Sequence, residues 1–168
     1  MKLSLILFLS IIAISSSAQE IVSNTVDGFT NERTVETSVV SLKQGFSTGF
    51  GASYTQYSGN YFLNIVGYGD NKTLVKEQDQ IWLVLDDGSV VKLIQRADMV
   101  SNGSDNYQNI FVHHYLMKLD DVEVLKNLKT TMIRIVSATG NTDFTLSKKN
   151  SAKFQKLNDI FLREVSKE

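Results

Sequence analysis

The sequence predicts a mainly β protein: an antiparallel β-sandwich or barrel-like sheet of about eight strands, with a short helix and a C-terminal amphipathic helix packed on it. Three observations lead there. Alternating apolar and polar runs rich in Val, Ile, Thr, Tyr and Phe recur along most of the chain. Glycine-containing dipeptides separate those runs at hairpin spacing. Periodicity of the helical kind is confined to two stretches near the end.

In chain order, Met1-Lys2, the apolar run Leu3 to Ile14 and the small residues Ser16-Ser17-Ala18 match a secretory signal peptide, with cleavage expected after Ala18. The run is well short of the roughly 20 apolar residues that cross a bilayer. Residues 19–168 are then expected to form a single β-rich domain without a transmembrane span. Asp27-Gly28 marks an early turn, and Thr34 to Leu42 reads as a strand. "GFSTGFG", Gly45 to Gly51, reads as a flexible loop or strand bend; it lacks the following Lys-Ser/Thr of a phosphate loop. "GASYTQY" and "YFLNIVGY" form a hairpin around Gly59-Asn60.

The stretch "IWLVLDDGSVVKLI", Ile81 to Ile94, is expected to be a hairpin on a two-residue Asp87-Gly88 turn. That turn sets Asp86 opposite Ser89 and Trp82 opposite Leu93, both faces are mostly apolar, and the hairpin is expected inside a covered sheet with the Trp82 face in the core. Asp86 and Asp87 need no chemistry beyond the turn. Ser101 to Asn106 reads as an exposed loop and Gln108 to Met117 as a strand. Asp120 and Asp121 cap a short helix through Leu128 that presents Val122, Leu125 and Leu128 to one side. "TMIRIVSAT" and "TDFTL" form a hairpin around Gly140-Asn141. From about Ser151, Phe154, Leu157, Ile160, Phe161 and Val165 make one apolar face, with mixed charges elsewhere, so this helix packs on the sheet instead of lying on a membrane.

Composition narrows the function. With 17 basic against 18 acidic residues and both signs scattered, the chain carries no nucleic-acid or anionic-membrane footprint. It has no cysteine, so thiol chemistry and disulfides are excluded, and no proline. His113 and His114 are the only histidines; as strand neighbours they point to opposite faces and cannot chelate one ion, one being expected exposed and the other partly buried. Ser53 in "GASYT" lacks the setting of a nucleophile elbow. "GDNKT" and "SNGSDN" do not follow calcium-loop spacing. No cofactor, metal or catalytic residue is assigned.

An aromatic cluster remains. Tyr54, Tyr57, Tyr61 and Tyr68 fall on and just beyond the second hairpin, where tyrosines give large contact area at low entropic cost, and they are the candidate ligand-binding residues. The competing account is cross-strand core packing, with Tyr61, Leu63 and Ile65 on one face and Phe62, Asn64 and Val66 on the other.

"DGFTNERTVET", "IWLVLDDGSVVKL" and "IRIVSATGNTDFTLSKKNSAKF", behind a leader ending in Ala-Gln, resemble the small uncharacterised exported proteins common in Bacteroidetes. The resemblance implies a bacterial envelope setting and no particular activity. The expected function is an exported, non-catalytic binding or envelope-accessory module, periplasmic or extracellular, recognising a protein, glycan or small ligand. The alternatives are a secreted hydrolase, which would need a cleft joining His113 or His114 to a buried carboxylate, and a barrel that carries an apolar ligand in an interior cavity.

Overall fold

The computed structural model describes residues 19–44, 49–68, 79–96, 101–105, 108–137 and 140–167. The expected signal peptide, the "GDNKT" stretch and residues 45–48 lie outside the described residues.

Among the described residues eleven strands and two helices follow in the order β1 (Ile21–Val26), β2 (Arg33–Thr37), β3 (Val40–Gln44), β4 (Gly49–Tyr57), β5 (Asn60–Tyr68), β6 (Gln80–Leu85), β7 (Val90–Gln95), β8 (Ser101–Asp105), β9 (Gln108–Met117), α1 (Leu119–Asn127), β10 (Thr130–Ser137), β11 (Gly140–Thr145) and α2 (Lys148–Val165). The strands pair antiparallel in one sheet of order β1-β2-β4-β5-β9-β7-β6-β10-β11, with β3 also on β4 and β8 also on β9. The fold is mainly β, and the sheet is not closed into a barrel.

One face of the sheet carries the core. Val35, Ala52, Tyr54, Leu63, Ile65, Tyr115, Leu93, Ile81, Leu83 and Ile133 are buried there, against Val122 and Leu125 of α1 and Phe154, Leu157, Phe161 and Val165 of α2. Ser147 caps α2 by accepting from the Asn150 N–H. Tyr54 is the centre of the contact: its ring stacks on Phe161 at 4.7 Å, and its hydroxyl donates to Asn158 Oδ1 at 2.6 Å. The sheet is curved enough that Phe50 on β4 meets Phe144 on β11 at 4.4 Å, although β4 and β11 are far apart in strand order. The Tyr61-Leu63-Ile65 and Phe62-Asn64-Val66 faces divide as the alternation requires, the first facing the helices with Tyr61 edge-on to Phe161.

The strand count exceeds the expected eight for three local reasons. Thr34 to Leu42 is split at Ser38-Val39 into β2 and β3, which pair with opposite halves of β4. Ile21–Val26 is a strand. Ser101–Asp105, expected as a loop, is a strand hairpinned onto β9 from Ser101↔Val112 to Asp105↔Gln108; ladder pairing overrides its low β-propensity.

Turn positions also differ by one residue. The β4–β5 turn is Ser58-Gly59, with φ of 47° and 73°, a type I′ turn, and Asn60 already pairs with Tyr57. Gly140 and Asn141 belong to β11, opposite Ser137 and Val136, and residues 138–139 lie outside the described residues.

The slip matters most at β6–β7. Leu85 donates its N–H to the Ser89 carbonyl at 2.9 Å, so the loop is the three residues Asp86, Asp87 and Gly88, with Gly88 at φ 87°. Trp82 therefore pairs with Lys92, and Leu93 pairs with Ile81. A one-residue slip exchanges faces. Ile81, Leu83, Leu85 and Leu93 are the buried set, while Trp82 is half-buried on the opposite face beneath Lys92, and Val90 and Ile94 on that face are exposed. The expected burial of the Trp82 face is thereby corrected.

Candidate binding site

The feature that stands out is a break in the sheet. β7 and β9 pair only at Ile94↔Leu116 and Gln95↔Tyr115, with the Arg96 N–H reaching the His114 carbonyl at 3.0 Å. Continued for two more rungs, that register would set Leu93 opposite Met117 and then Lys92 opposite Lys118. It does not continue. Like charges opposed across a ladder repel, and at Lys118 the chain leaves the sheet to start α1: the Lys118 N–H donates to Asp121 Oδ2 at 2.8 Å, closing the first turn of the helix.

The result is a cavity of about 500 Å³. Its β7 wall is Lys92, Leu93 and Ile94; its far wall is Leu116 to Leu119 with Asp121, and the Gly59-Asn60-Tyr61 end of β5 closes it. Tyr61, Ile94, Leu116, Met117 and Leu119 make the lining largely apolar. Lys92 and Lys118 line it and are exposed, with the Lys92 ammonium leaning over Trp82 of β6 at 4.2 Å. Asp121, which accepts from the Lys118 N–H, sets one carboxylate against the two ammonium groups, so the lining carries a small net positive charge.

β7 also presents backbone to this notch. Residues 89 and 95 bond towards β6, through the Ser89 carbonyl and the Gln95 N–H to the Asp79 carbonyl, whereas Arg96 bonds towards β9. Alternation along an antiparallel strand then turns the N–H and C=O of Val90 and Lys92 towards the notch. Among the described residues no strand lies opposite them there. An unpaired edge of this kind is a template for an added strand.

The four candidate tyrosines are not gathered on one surface. Tyr61 lines the notch. Tyr54 is 0 % exposed in the core, and burial drives its hydroxyl well above the usual tyrosine range. Tyr57 is 50 % exposed near the end of β4, and the side chain of Tyr68 lies outside the described residues. Lys92 and Lys118 escaped the sequence reading because they are 26 residues apart and meet only through the β7–β9 register.

The histidines take opposite faces, as adjacent strand residues must. His113, on the core side, is buried at 4 % exposure with Nδ1 3.4 Å from Gln95 Nε2, and His114 is half-buried with Nδ1 2.7 Å from Asn64 Oδ1. The expectation of one exposed ring is corrected. Burial lowers both pKa values, that of His113 to about 4, with the neighbouring His114 pushing the same way and Asp79 opposing. Ser53 stands two strands from His114 with Asn64 between them, and Asn64 Nδ2 donates to the Ser53 and Thr55 hydroxyls. His114 thus orients an amide and does not touch the Ser53 hydroxyl. Among the described residues no three His, Asp or Glu side chains converge as a metal site would require.

Comparison with protein-family models, with curated proteins and with solved structures finds no match for this chain.

Proposed function

We propose that the protein is an exported binding module that takes an extended segment of a protein partner into the notch between β7 and β9, adding it as a short strand to the open edge of β7. The observation that carries this reading is the coincidence of the Lys92 backbone, unpaired among the described residues, with a largely apolar cavity lined by Lys92 and Lys118. Backbone pairing supplies affinity for any extended chain, and the pocket beside it selects side chains. An apolar residue flanked by Asp or Glu fits the lining and its two lysines. The N-terminal pattern of residues 1–18 supports the exported setting. An interior apolar ligand is less well supported, because Phe154, Phe161 and Tyr54 fill the concave side of the sheet.

The test is selection from a displayed peptide library. Enriched peptides should carry an aromatic or aliphatic residue between acidic ones, and should lose binding to Lys92→Pro. That substitution removes an N–H turned away from β6, so the hairpin ladder is kept, as is usual for proline on sheet edges. Equal binding to Lys92→Pro and to Lys118→Glu would overturn the assignment.

A further inference from the structure

We propose that the occupant of the notch is a second copy of this chain, whose β1–β2 hairpin tip, Asp27 to Glu32, inserts Phe29 between β7 and β9. The inference rests on the notch being a binding site and names what fills it; the tip is a closed turn, so it fills the apolar pocket with the Phe29 side chain and does not add a strand to β7.

Phe29 is 100 % exposed, at the tip of the first hairpin. Its backbone is nevertheless held. Asp27 Oδ1 accepts from the N–H groups of both Phe29 and Thr30 at 2.8 Å, and the Asp27 carbonyl accepts from Asn31, which sits at φ 57°. The Asp27 N–H in turn donates to the Glu32 carbonyl at 2.9 Å. An aromatic ring displayed in water on a pre-ordered turn loses little backbone freedom on docking, the property of an interface anchor.

The chemistry of tip and notch is complementary. "DGFTNE" carries Asp27 and Glu32 and no basic residue, and the hydrogen bonds from Phe29 and Thr30 hold the Asp27 carboxyl below the usual range. Lys92 and Lys118 line a largely apolar cavity of about 500 Å³, room enough for a phenyl ring and its turn. An acidic turn with a central phenylalanine is the segment the notch selects.

Placement completes the argument. Ser58 Oγ donates to Glu32 Oε2 at 2.8 Å, tying the base of the β1–β2 turn to the β4–β5 turn, and Gly59, the next residue, already lines the notch. Tip and notch therefore lie side by side at one end of the molecule. A two-fold axis through that end lets each tip enter the other copy's notch, a closed and self-limiting pairing.

The experiment is sedimentation equilibrium of the purified protein from about 1 µM to about 1 mM, a range that spans weak to moderate dimers. The parent should show a monomer–dimer equilibrium. Phe29→Ala, and separately Lys92→Glu with Lys118→Glu, should each weaken it at least about tenfold, as loss of an anchor does. All of these are surface changes, and unaltered circular-dichroism melts will confirm folding. Mixing the two variants should give a heterodimer tighter than either variant alone and weaker than the parent dimer, because one of the two tip-to-notch contacts is then intact. A parent that stays monomeric throughout, or a Phe29→Ala variant that dimerises like the parent, overturns the second-copy proposal. If library peptides still bind the notch of such a monomer, that reading survives alone. If dimers need Phe29 but ignore the lysine reversals, the tip docks elsewhere and this proposal fails.

Discussion

The Lys92 ammonium lies 4.2 Å from the centre of the Trp82 indole, and the Arg134 guanidinium lies 5.9 Å from it on the neighbouring strand, where Asp143 holds Arg134 in a two-pronged ion pair. Two cations thus flank a half-buried ring on the face of the sheet away from the helices. Such contacts contribute roughly 0.5 to 1 kcal/mol at exposed sites.

This arrangement predicts the fluorescence of the only tryptophan. Iodide, attracted by Lys92 and Arg134, should quench it clearly better than caesium does. Lys92→Ala should reduce the iodide constant and leave the caesium constant similar or higher. Poor quenching by both ions would mean that the ring is in the core after all.

A second prediction concerns acid. His113 is held neutral by burial, its pKa lowered from 6.5 to about 4. The unfolded chain takes up this proton as pH falls below about 6.5 while the folded chain does not, so stability is full above that pH and declines as the pH falls towards 4. His114 shifts in the same direction. Between pH 7 and pH 5 the His113 contribution should cost up to about 2 kcal/mol. Denaturant midpoints measured across this range on the parent and on His113→Gln should show a flatter profile for the variant. Identical slopes would remove His113 as the cause.

What the amino-acid pattern reveals is unequal. The strands Gln108–Met117 and Val90–Gln95 and the apolar face of α2 are legible because alternation and 3.6-residue spacing are local properties. The β6–β7 register is not, because Asp-Gly serves as well at the end of a three-residue loop as in a two-residue turn, and two apolar faces leave alternation without a vote. The notch is hidden for a different reason. It exists where β9 becomes α1, and only the pairing of Ile94 with Leu116 reveals that Lys92 and Lys118 would otherwise collide. Asn158 escapes notice as a polar residue on an apolar helix face.

Export has a direct check. If residues 1–18 are a signal peptide as proposed, the full chain expressed in a Gram-negative host and recovered from the envelope or medium should have an intact mass that begins at Gln19. Material there that retains Met1 to Ala18 would defeat the signal-peptide assignment.

Docking of α2 predicts a contrast between two substitutions on one helix. Phe161 is 0 % exposed, stacked on Tyr54 and edge-on to Tyr61, whereas Lys156 is exposed. Phe161→Ala should destabilise by about 3 to 5 kcal/mol, a large part of the roughly 5 to 15 kcal/mol of an ordinary domain. Lys156→Ala should change the midpoint little. Equal midpoints would mean that the helix is not docked as described.

The last prediction isolates the polar contact inside that core. Tyr54 Oη donates to Asn158 Oδ1 at 2.6 Å, and Asn158 Nδ2 donates to the Leu125 carbonyl at 2.8 Å, so one amide links β4, α2 and α1. Both side chains are fully buried. Tyr54→Phe keeps the ring stack but leaves the Asn158 oxygen without its donor, which should cost about 1 to 3 kcal/mol. Asn158→Leu strands both the Tyr54 hydroxyl and the Leu125 carbonyl and should cost at least as much. In the double variant the Tyr54 hydroxyl and the Asn158 amide are both gone, leaving only the carbonyl unsatisfied, so the combined loss should fall short of the sum by about 1 kcal/mol or more. Urea melts of the four proteins, compared at equal slope, measure the coupling directly. Strict additivity would show that the hydroxyl and the amide do not act as one buried unit, and that the helices are held to the sheet by apolar packing alone.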